Sequence, residues 1–126
     1  MSRIMVVEDD EGILMLVQAQ LRRNGHQVIG AMSAQEALDS VMEKGTPDVV
    51  VLDVGLPDMD GLELLNILRE RLETPELACI FLTGHVEEED VEAGRALGAT
   101  YLTKPFVASA LLGAIERCAA VPNDTW

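Results

Sequence analysis

Residues that can bind a metal ion or phosphate follow four short apolar segments of this chain. They come after the first, third, fourth and fifth segments and are, in that order, Glu8 and Asp9, Asp53, Thr83 and Gly84, and Lys104. Three carboxylates in one pocket would raise one another's pKa unless a cation compensated them. Mg²⁺ suits such a set because it prefers oxygen ligands and often binds carboxylates together with phosphate oxygens. If the segments converge, the pattern therefore predicts a magnesium site.

The charges of this set indicate phosphoryl chemistry. Mg²⁺ and the Lys104 ammonium together balance three carboxylates. Converting one carboxylate to an acyl phosphate removes one negative charge and adds about two. That excess requires donors, and the Thr83 hydroxyl, the Gly84 N–H and Lys104 supply them. Asp53 is the expected nucleophile because it ends the most apolar segment, 49–52.

The apolar segments alternate with helical patterns along the chain, which predicts an α/β fold. Strands are predicted over 4–7, 27–31, 49–52, 78–82 and 100–102. Parallel neighbours need crossovers, and these are right-handed in nearly all cases, which places helices on both faces of a sheet. We expect a doubly wound, five-stranded parallel sheet with five helices. Sites in such sheets lie beyond the carboxyl ends of the strands.

The composition indicates one domain. The chain has 126 residues, 48% of them hydrophobic, and no linker-like segment, so we expect a domain over 1–120 and a tail over 121–126. A formal charge of −13 argues against direct binding to nucleic acid or to anionic membranes. No apolar stretch suits a signal peptide or a membrane span, so a cytoplasmic location is expected. Cys79 and Cys118 lack metal-ligand spacing and are expected to be free thiols.

The residues at the strand ends resemble the full signature of response-regulator receiver domains, over nearly the whole chain. The matching motifs are Val6-Val7-Glu8-Asp9-Asp10, Val51-Leu52-Asp53 with Leu56-Pro57-Asp58-Met59-Asp60-Gly61, Leu82-Thr83-Gly84, and Lys104-Pro105-Phe106. The resemblance implies the flavodoxin-like strand order 2-1-3-4-5. It also implies that a histidine kinase or histidine phosphotransfer domain phosphorylates Asp53, with Mg²⁺ as cofactor and Mn²⁺ as an alternative.

The resemblance further implies a role for each matching position. Catalysis involves Asp53, Lys104 and Thr83, and the phosphate is bound by Gly84 and Lys104. The metal ligands are Glu8, Asp9, Asp53 and the carbonyl of Gly55. A switch couples Thr83 to Tyr101 and reaches an effector or output domain through the fourth helix, fifth strand and fifth helix. Gly55 and His85 occupy positions that tune phosphate lifetime, and we hypothesise that His85 orients water or a partner's group.

Each motif taken alone also has a simpler structural explanation. Residues 8–11 could complement the positive end of the first helix, and Lys104 could be a solvated loop lysine. Thr83 and Gly84 could form a turn, and Tyr101 could be plain core. Turns and a helix start account for three further residues, Asp58, Asp60 and Gly61. The conjunction of motifs at four strand ends favours the receiver interpretation.

Several functional alternatives stay open at this point. The chain could be a receiver fragment of a larger DNA-binding response regulator or of a hybrid histidine kinase, and either a monomer or a phosphorylation-dependent homodimer. It could also be an adaptor that uses the fold without phosphorylation. A magnesium-dependent aspartate-nucleophile phosphohydrolase usually has a second acid two residues after the nucleophile, where this chain has Gly55. We therefore expect a phosphoacceptor with self-catalysed phosphotransfer and autodephosphorylation, not an enzyme.

Overall fold

The computed structural model describes residues 2–84, 96, 98–104 and 106–118. Its elements are β1 (Arg3–Val7), α1 (Glu11–Arg23), β2 (Gln27–Ala31), α2 (Ala34–Lys44), β3 (Val49–Asp53), α3 (Gly61–Arg71), β4 (Ala78–Thr83), β5 (Thr100–Thr103) and the C-terminal helix α4 (Ala108–Cys118). The predicted fourth helix lies outside the described residues except for Ala96, and the predicted tail lies outside them as well. The last predicted helix is therefore α4.

The five strands form one parallel sheet in the order β2-β1-β3-β4-β5, which confirms the predicted α/β fold and strand order. β1 lies between β2 and β3, and β3 pairs with β4 from Val49 opposite Ala78 to Asp53 opposite Leu82. In this register the carboxyl ends of β1, β3, β4 and β5 lie side by side. Within the described ranges, no helix has both the length and the hydropathy needed to cross a membrane.

The sheet separates two hydrophobic clusters because successive strand residues point to opposite faces. β1 and β3 are buried along their whole length, as the apolar segments 4–7 and 49–52 predict for central parallel strands. One cluster joins the sheet to α2 and α3 through Met5, Val7, Val50, Leu52, Leu38, Val41, Leu64 and Leu68. The other joins it to α1 and α4 through Ile4, Val6, Val49, Val51, Leu14, Val17, Leu111 and Ile115. Both cysteines are free, as predicted.

Polar caps start α1 and α2 near the carboxyl edge of the sheet. The Asp10 side chain accepts a hydrogen bond from the backbone N–H of Ile13 at the start of α1. Ser33 accepts one from the N–H of Glu36 at the start of α2, while the Glu36 carboxylate accepts from the N–H of Met32. This arrangement is close to the capping box that the Ser33 and Glu36 spacing predicts. These caps fix where each loop between a strand and the next helix ends.

Candidate functional site

The predicted metal- and phosphate-binding residues that the structure describes lie along the carboxyl edge of the sheet. Glu8 and Asp9 follow β1, Asp53 ends β3, Thr83 ends β4 and Lys104 follows β5. The backbone N–H of Lys104 donates to the carbonyl of Thr83 at 2.7 Å, which holds the last two strand ends together. His85, predicted to tune phosphate lifetime, lies outside the described residues.

Three carboxylates converge at this edge. Glu8, Asp9 and Asp53 each offer an oxygen atom, and these atoms all lie within 4.8 Å of one another. Glu8 is 1% exposed and Asp53 is 9% exposed, whereas Asp9 is exposed to solvent. The oxygen cluster therefore has a buried wall and an open side. Such a set suits a hard cation that keeps several of its waters.

Lys104 joins the cluster from β5, although it is 96 residues away from Glu8 along the chain. Its Nζ donates to Glu8 Oε2 at 2.7 Å and to Asp53 Oδ2 at 3.4 Å. The shorter contact is therefore the one to Glu8. The sequence placed Lys104 at the site but did not indicate that Glu8 is its nearer partner.

The pKa shifts at the site follow from burial and charge. Burial raises the pKa of Glu8; the hydrogen bond from Lys104 opposes this shift, and the negative charge of Asp53 adds to it. Burial alone would lower the pKa of Lys104, but the hydrogen bond to Glu8 and the charge of Asp53 outweigh it, so the pKa is raised. Three carboxylates against one ammonium leave an excess of two negative charges when all four groups are ionised. A divalent cation would neutralise that excess.

The loop between β3 and α3 is closed tightly behind Asp53. The N–H of Gly55 donates to Asp53 Oδ1 at 3.1 Å, and Gly55 pairs with Asp60 in an isolated antiparallel bridge. The N–H of Gly61 donates to the carbonyl of Val54 at 2.8 Å. A Cβ at position 61 would lie 2.6 Å from the carbonyl oxygen of Asp53, so only glycine permits this close approach. The sequence marked Gly61 as a turn former without indicating this contact.

The other two acidic residues of this loop cap helices. Asp60 accepts from the N–H of Leu62 at 2.8 Å and starts α3, as predicted for a helix-start residue. Asp58 accepts from the N–H groups of Ala34 and Gln35, which begin α2. These two hydrogen bonds lower the pKa of the Asp58 carboxyl. The sequence indicated only a turn at Asp58, because its partners lie 24 and 23 residues earlier and no local pattern links them.

The remaining predicted residues lie on, or directly after, the adjacent strands β4 and β5. Thr83 is 6% exposed at the end of β4, and the next residue, Gly84, is exposed; among the described residues other than its chain neighbours, none places an atom within 4 Å of a Cβ built on it. Tyr101 on β5 is half-buried and packs on Phe81 with a distance of 5.1 Å between the ring centroids. Tyr101 belongs to the hydrophobic cluster on the α2 and α3 side of the sheet.

Comparisons with known proteins agree with this geometry. The family model of the response regulator receiver domain matches residues 4–116. The alkaline phosphatase synthesis transcriptional regulatory protein PhoP of Bacillus subtilis is 45% identical over 107 residues, which cover 83% of this chain and 43% of that protein. An uncharacterized 14.6 kDa protein of Leptolyngbya boryana is 38% identical over 123 residues, which cover 96% of this chain and 93% of that protein.

Solved structures show the same fold. The chemotaxis protein CheY4 of Vibrio cholerae superposes with a TM-score of 0.86 at 30% identity, covering 94% of this chain and 98% of that one. The chain thus spans less than half the length of the Bacillus subtilis regulator but nearly the whole of the chemotaxis protein.

Proposed function

The chain belongs to the family of response regulator receiver domains, and from this premise we propose that Asp53 accepts a phosphoryl group in a Mg²⁺-dependent reaction. One observation carries the proposal. The Asp53 carboxylate lies within 4.8 Å of the Glu8 and Asp9 oxygens and 3.4 Å from Lys104 Nζ. A nucleophilic carboxylate is thereby surrounded by ligands for a cation and by a cationic donor, which is what phosphoryl transfer requires.

The donor set fits Mg²⁺. All of its side-chain ligands are carboxylate oxygens, and their charge exceeds that of Lys104. Glu8, Asp9 and Asp53 would hold the ion together with the carbonyl of Gly55, and Mn²⁺ would accept the same oxygen donors. When bound, the ion neutralises charge on the phosphoryl oxygens.

Each residue of the site then has a separate role in the phosphoryl transfer. An Asp53 oxygen attacks phosphorus in line with the leaving group. The bond from phosphorus to the donor's histidine nitrogen breaks as the bond to Asp53 forms, and its electron pair stays on the imidazole. Lys104, the Thr83 hydroxyl and the Gly84 N–H donate hydrogen bonds to the phosphoryl oxygens. A histidine kinase or a histidine phosphotransfer domain would supply the phosphohistidine.

Phosphorylation would change partner binding through Thr83 and Tyr101. Thr83 moves toward the phosphoryl group, and the Tyr101 side chain turns inward to fill the space that Thr83 leaves. The surface formed by the predicted fourth helix, β5 and α4 changes as a result. The position of Thr83 at the site and the packing of Tyr101 on the next strand support this coupling. Thr83→Ala should leave Asp53 modifiable while partner binding no longer responds to phosphorylation. Coupling that persists in this variant would contradict the switch.

The domain boundary, the cellular location, the oligomeric state and the output partner are proposals as well. We propose residues 1–120 as the receiver domain and a cytoplasmic location, with either a monomer or a phosphorylation-dependent dimer as the active form. The similarity to a transcriptional regulatory protein of more than twice the aligned length supports an output domain as partner. Phosphate lifetime would depend on Gly55, which is exposed beside Asp53, and on His85.

Transfer from a small acyl phosphate tests the proposal without a cognate kinase. The protein is incubated with acetyl phosphate and Mg²⁺, and intact-protein mass spectrometry counts the phosphoryl groups gained. We expect one group on the parent and on Asp39→Asn, which alters an exposed carboxylate of α2 and serves as control. We expect none on Asp53→Asn or in the presence of EDTA. Steady turnover of phosphomonoesters would instead indicate a phosphohydrolase.

A further inference from the structure

Helix α2 is capped from outside by the loop that follows Asp53. The two carboxylate oxygens of Asp58 accept hydrogen bonds from the N–H of Ala34 at 2.9 Å and from the N–H of Gln35 at 3.0 Å. Ser33, the helix's own cap, accepts from the N–H of Glu36 at 3.1 Å. The first turn of α2 therefore has two separate caps, one local and one from the loop between β3 and α3.

Asp58 provides the hydrogen bonds between the outer part of this loop and α2, beside the packing of Met59 on the cluster on the α2 and α3 side. At its base, Gly55 pairs with Asp60, and the N–H of Gly61 donates to the carbonyl of Val54. Leu56 is buried in the cluster on the α2 and α3 side. Beyond Leu56 the chain is exposed at Pro57 and Asp58, and the carboxylate of Asp58 fastens this part to α2.

The charge of Asp58 strengthens this contact. The hydrogen bonds from Ala34 and Gln35 lower the pKa of its carboxyl, so the side chain is ionised at neutral pH. A carboxylate is favoured at the N-terminus of a helix, where the unpaired N–H groups carry partial positive charge, and charge-assisted hydrogen bonds are stronger than neutral ones.

We propose that Asp58 is a positioning residue for the metal site. By fastening the loop to α2, it fixes the main chain around Gly55, whose carbonyl is a ligand in the proposed function on which this inference rests. Asp58 follows that ligand by three residues and does not belong to the cluster of Glu8, Asp9 and Asp53. Residues that orient metal ligands typically change metal affinity about 10- to 100-fold when they are mutated.

Mg²⁺ affinity, measured by isothermal titration calorimetry at fixed pH and ionic strength, tests this role. Asp58→Ala should weaken Mg²⁺ binding about tenfold, the lower end of that range, because only one ligand loses its orientation. Asp58→Asn should have a smaller effect, since it keeps one acceptor oxygen for the two N–H groups. Ser33→Ala is the matched control, because it removes a cap from the same helix without touching the loop. It should lower the melting temperature while leaving Mg²⁺ affinity unchanged.

The outcomes separate this inference from the proposed function. Asp9→Asn removes a proposed ligand directly and should weaken binding. If Asp9→Asn weakens binding and Asp58→Ala does not, the positioning role is wrong and the metal site stands. If Ser33→Ala weakens binding as much as Asp58→Ala, the stability of α2 explains the effect and the inference is overturned. If Asp9→Asn binds Mg²⁺ as tightly as the parent, the metal site fails and the inference fails with it.

Discussion

The two ends of the central sheet each hold ion contacts with little exposure to solvent, and these contacts are built differently. At the amino end, Arg3 and Asp48 meet with 3.3 Å between Arg3 Nη2 and Asp48 Oδ1, and the backbone N–H of Arg3 donates to Asp48 Oδ2 at 2.8 Å. At the carboxyl end, Lys104 lies 2.7 Å from Glu8 and 3.4 Å from Asp53. The first contact joins one cation to one anion, whereas the second shares one cation between two buried anions.

This difference separates a structural contact from a site that can bind a ligand. The contact between Arg3 and Asp48 joins the start of β1 to the residue before β3, and its two charges compensate each other. At the carboxyl end Lys104 compensates only part of the negative charge, and burial raises the pKa of Glu8. An arrangement with excess like charge is unfavourable until a cation binds, so the stability of the domain should depend on metal at one end only.

Removing the anion of the amino-end pair should have the largest effect on stability. Asp48→Ala takes away a partner of the buried Arg3 side chain and the acceptor for its backbone N–H. Breaking a buried ion pair costs about 3 kcal/mol of unfolding free energy. Urea denaturation measures that loss, and Mg²⁺ affinity should stay at the parent value. A comparable loss of Mg²⁺ affinity would show that the two ends are not independent.

Metal binding should stabilise the parent almost as strongly. A ligand that binds only the folded state raises the unfolding free energy by about 2.7 kcal/mol at a concentration of 100 times its dissociation constant. Denaturation curves with and without Mg²⁺ measure this gain. Asp48→Asn should keep it and Asp53→Asn should lose most of it, because only the second change removes a member of the carboxylate cluster. An equal gain in both variants would contradict a site at the carboxyl end.

Without metal, Asp53→Asn should be mildly stabilising. The substitution removes a negative charge that raises the pKa of Glu8, and Lys104 keeps its 2.7 Å contact with Glu8. Relief of this repulsion should raise the unfolding free energy slightly at neutral pH, because the remaining Glu8 carboxylate and Lys104 ammonium compensate each other. Denaturation in EDTA shows whether the unfolding free energy rises or falls. A variant less stable than the parent would mean that the negative charge of the carboxylate cluster is already compensated without metal.

The smallest expected effect is a pH dependence at the amino end. His26 Nδ1 accepts a hydrogen bond from the N–H of Ser2 at 3.1 Å, and burial lowers the pKa of His26 below its ordinary value of 6.5. A lowered folded-state pKa adds stability above the unfolded value, and that stability is lost as the pH falls through the folded value. The loss should be about 0.5 kcal/mol, the lower end of the net value of one hydrogen bond, because His26 is only half-buried.

His26→Asn is the control for this pH effect, because it keeps an acceptor near the position of Nδ1 and does not titrate. Denaturation between pH 7 and pH 5 should show a smaller pH dependence in the variant than in the parent. Equal slopes would mean that His26 does not contribute.

The sequence was informative where function depends on residues that follow strands. The alternation of apolar segments and helical patterns predicted the parallel sheet, and the carboxyl ends of its strands indicated where Glu8, Asp53 and Lys104 meet. Which carboxylate Lys104 contacts more closely depends on side-chain packing between residues 96 positions apart, and no local pattern reports it. The cap that Asp58 places on α2 could not be predicted for the same reason. An aspartate in a turn has the same local sequence whether its hydrogen-bond partner is near or distant along the chain.

The central claim is that Asp53 itself receives the phosphoryl group, and chemical trapping of that residue tests it most directly. The protein is phosphorylated with acetyl phosphate and Mg²⁺ and treated with borohydride, which reduces an aspartyl phosphate to homoserine. Peptide mass spectrometry then identifies the reduced position. The account predicts reduction at Asp53, with none at Glu8 or Asp9. Reduction at either of those carboxylates, or phosphorylation without any reducible acyl phosphate, would contradict it.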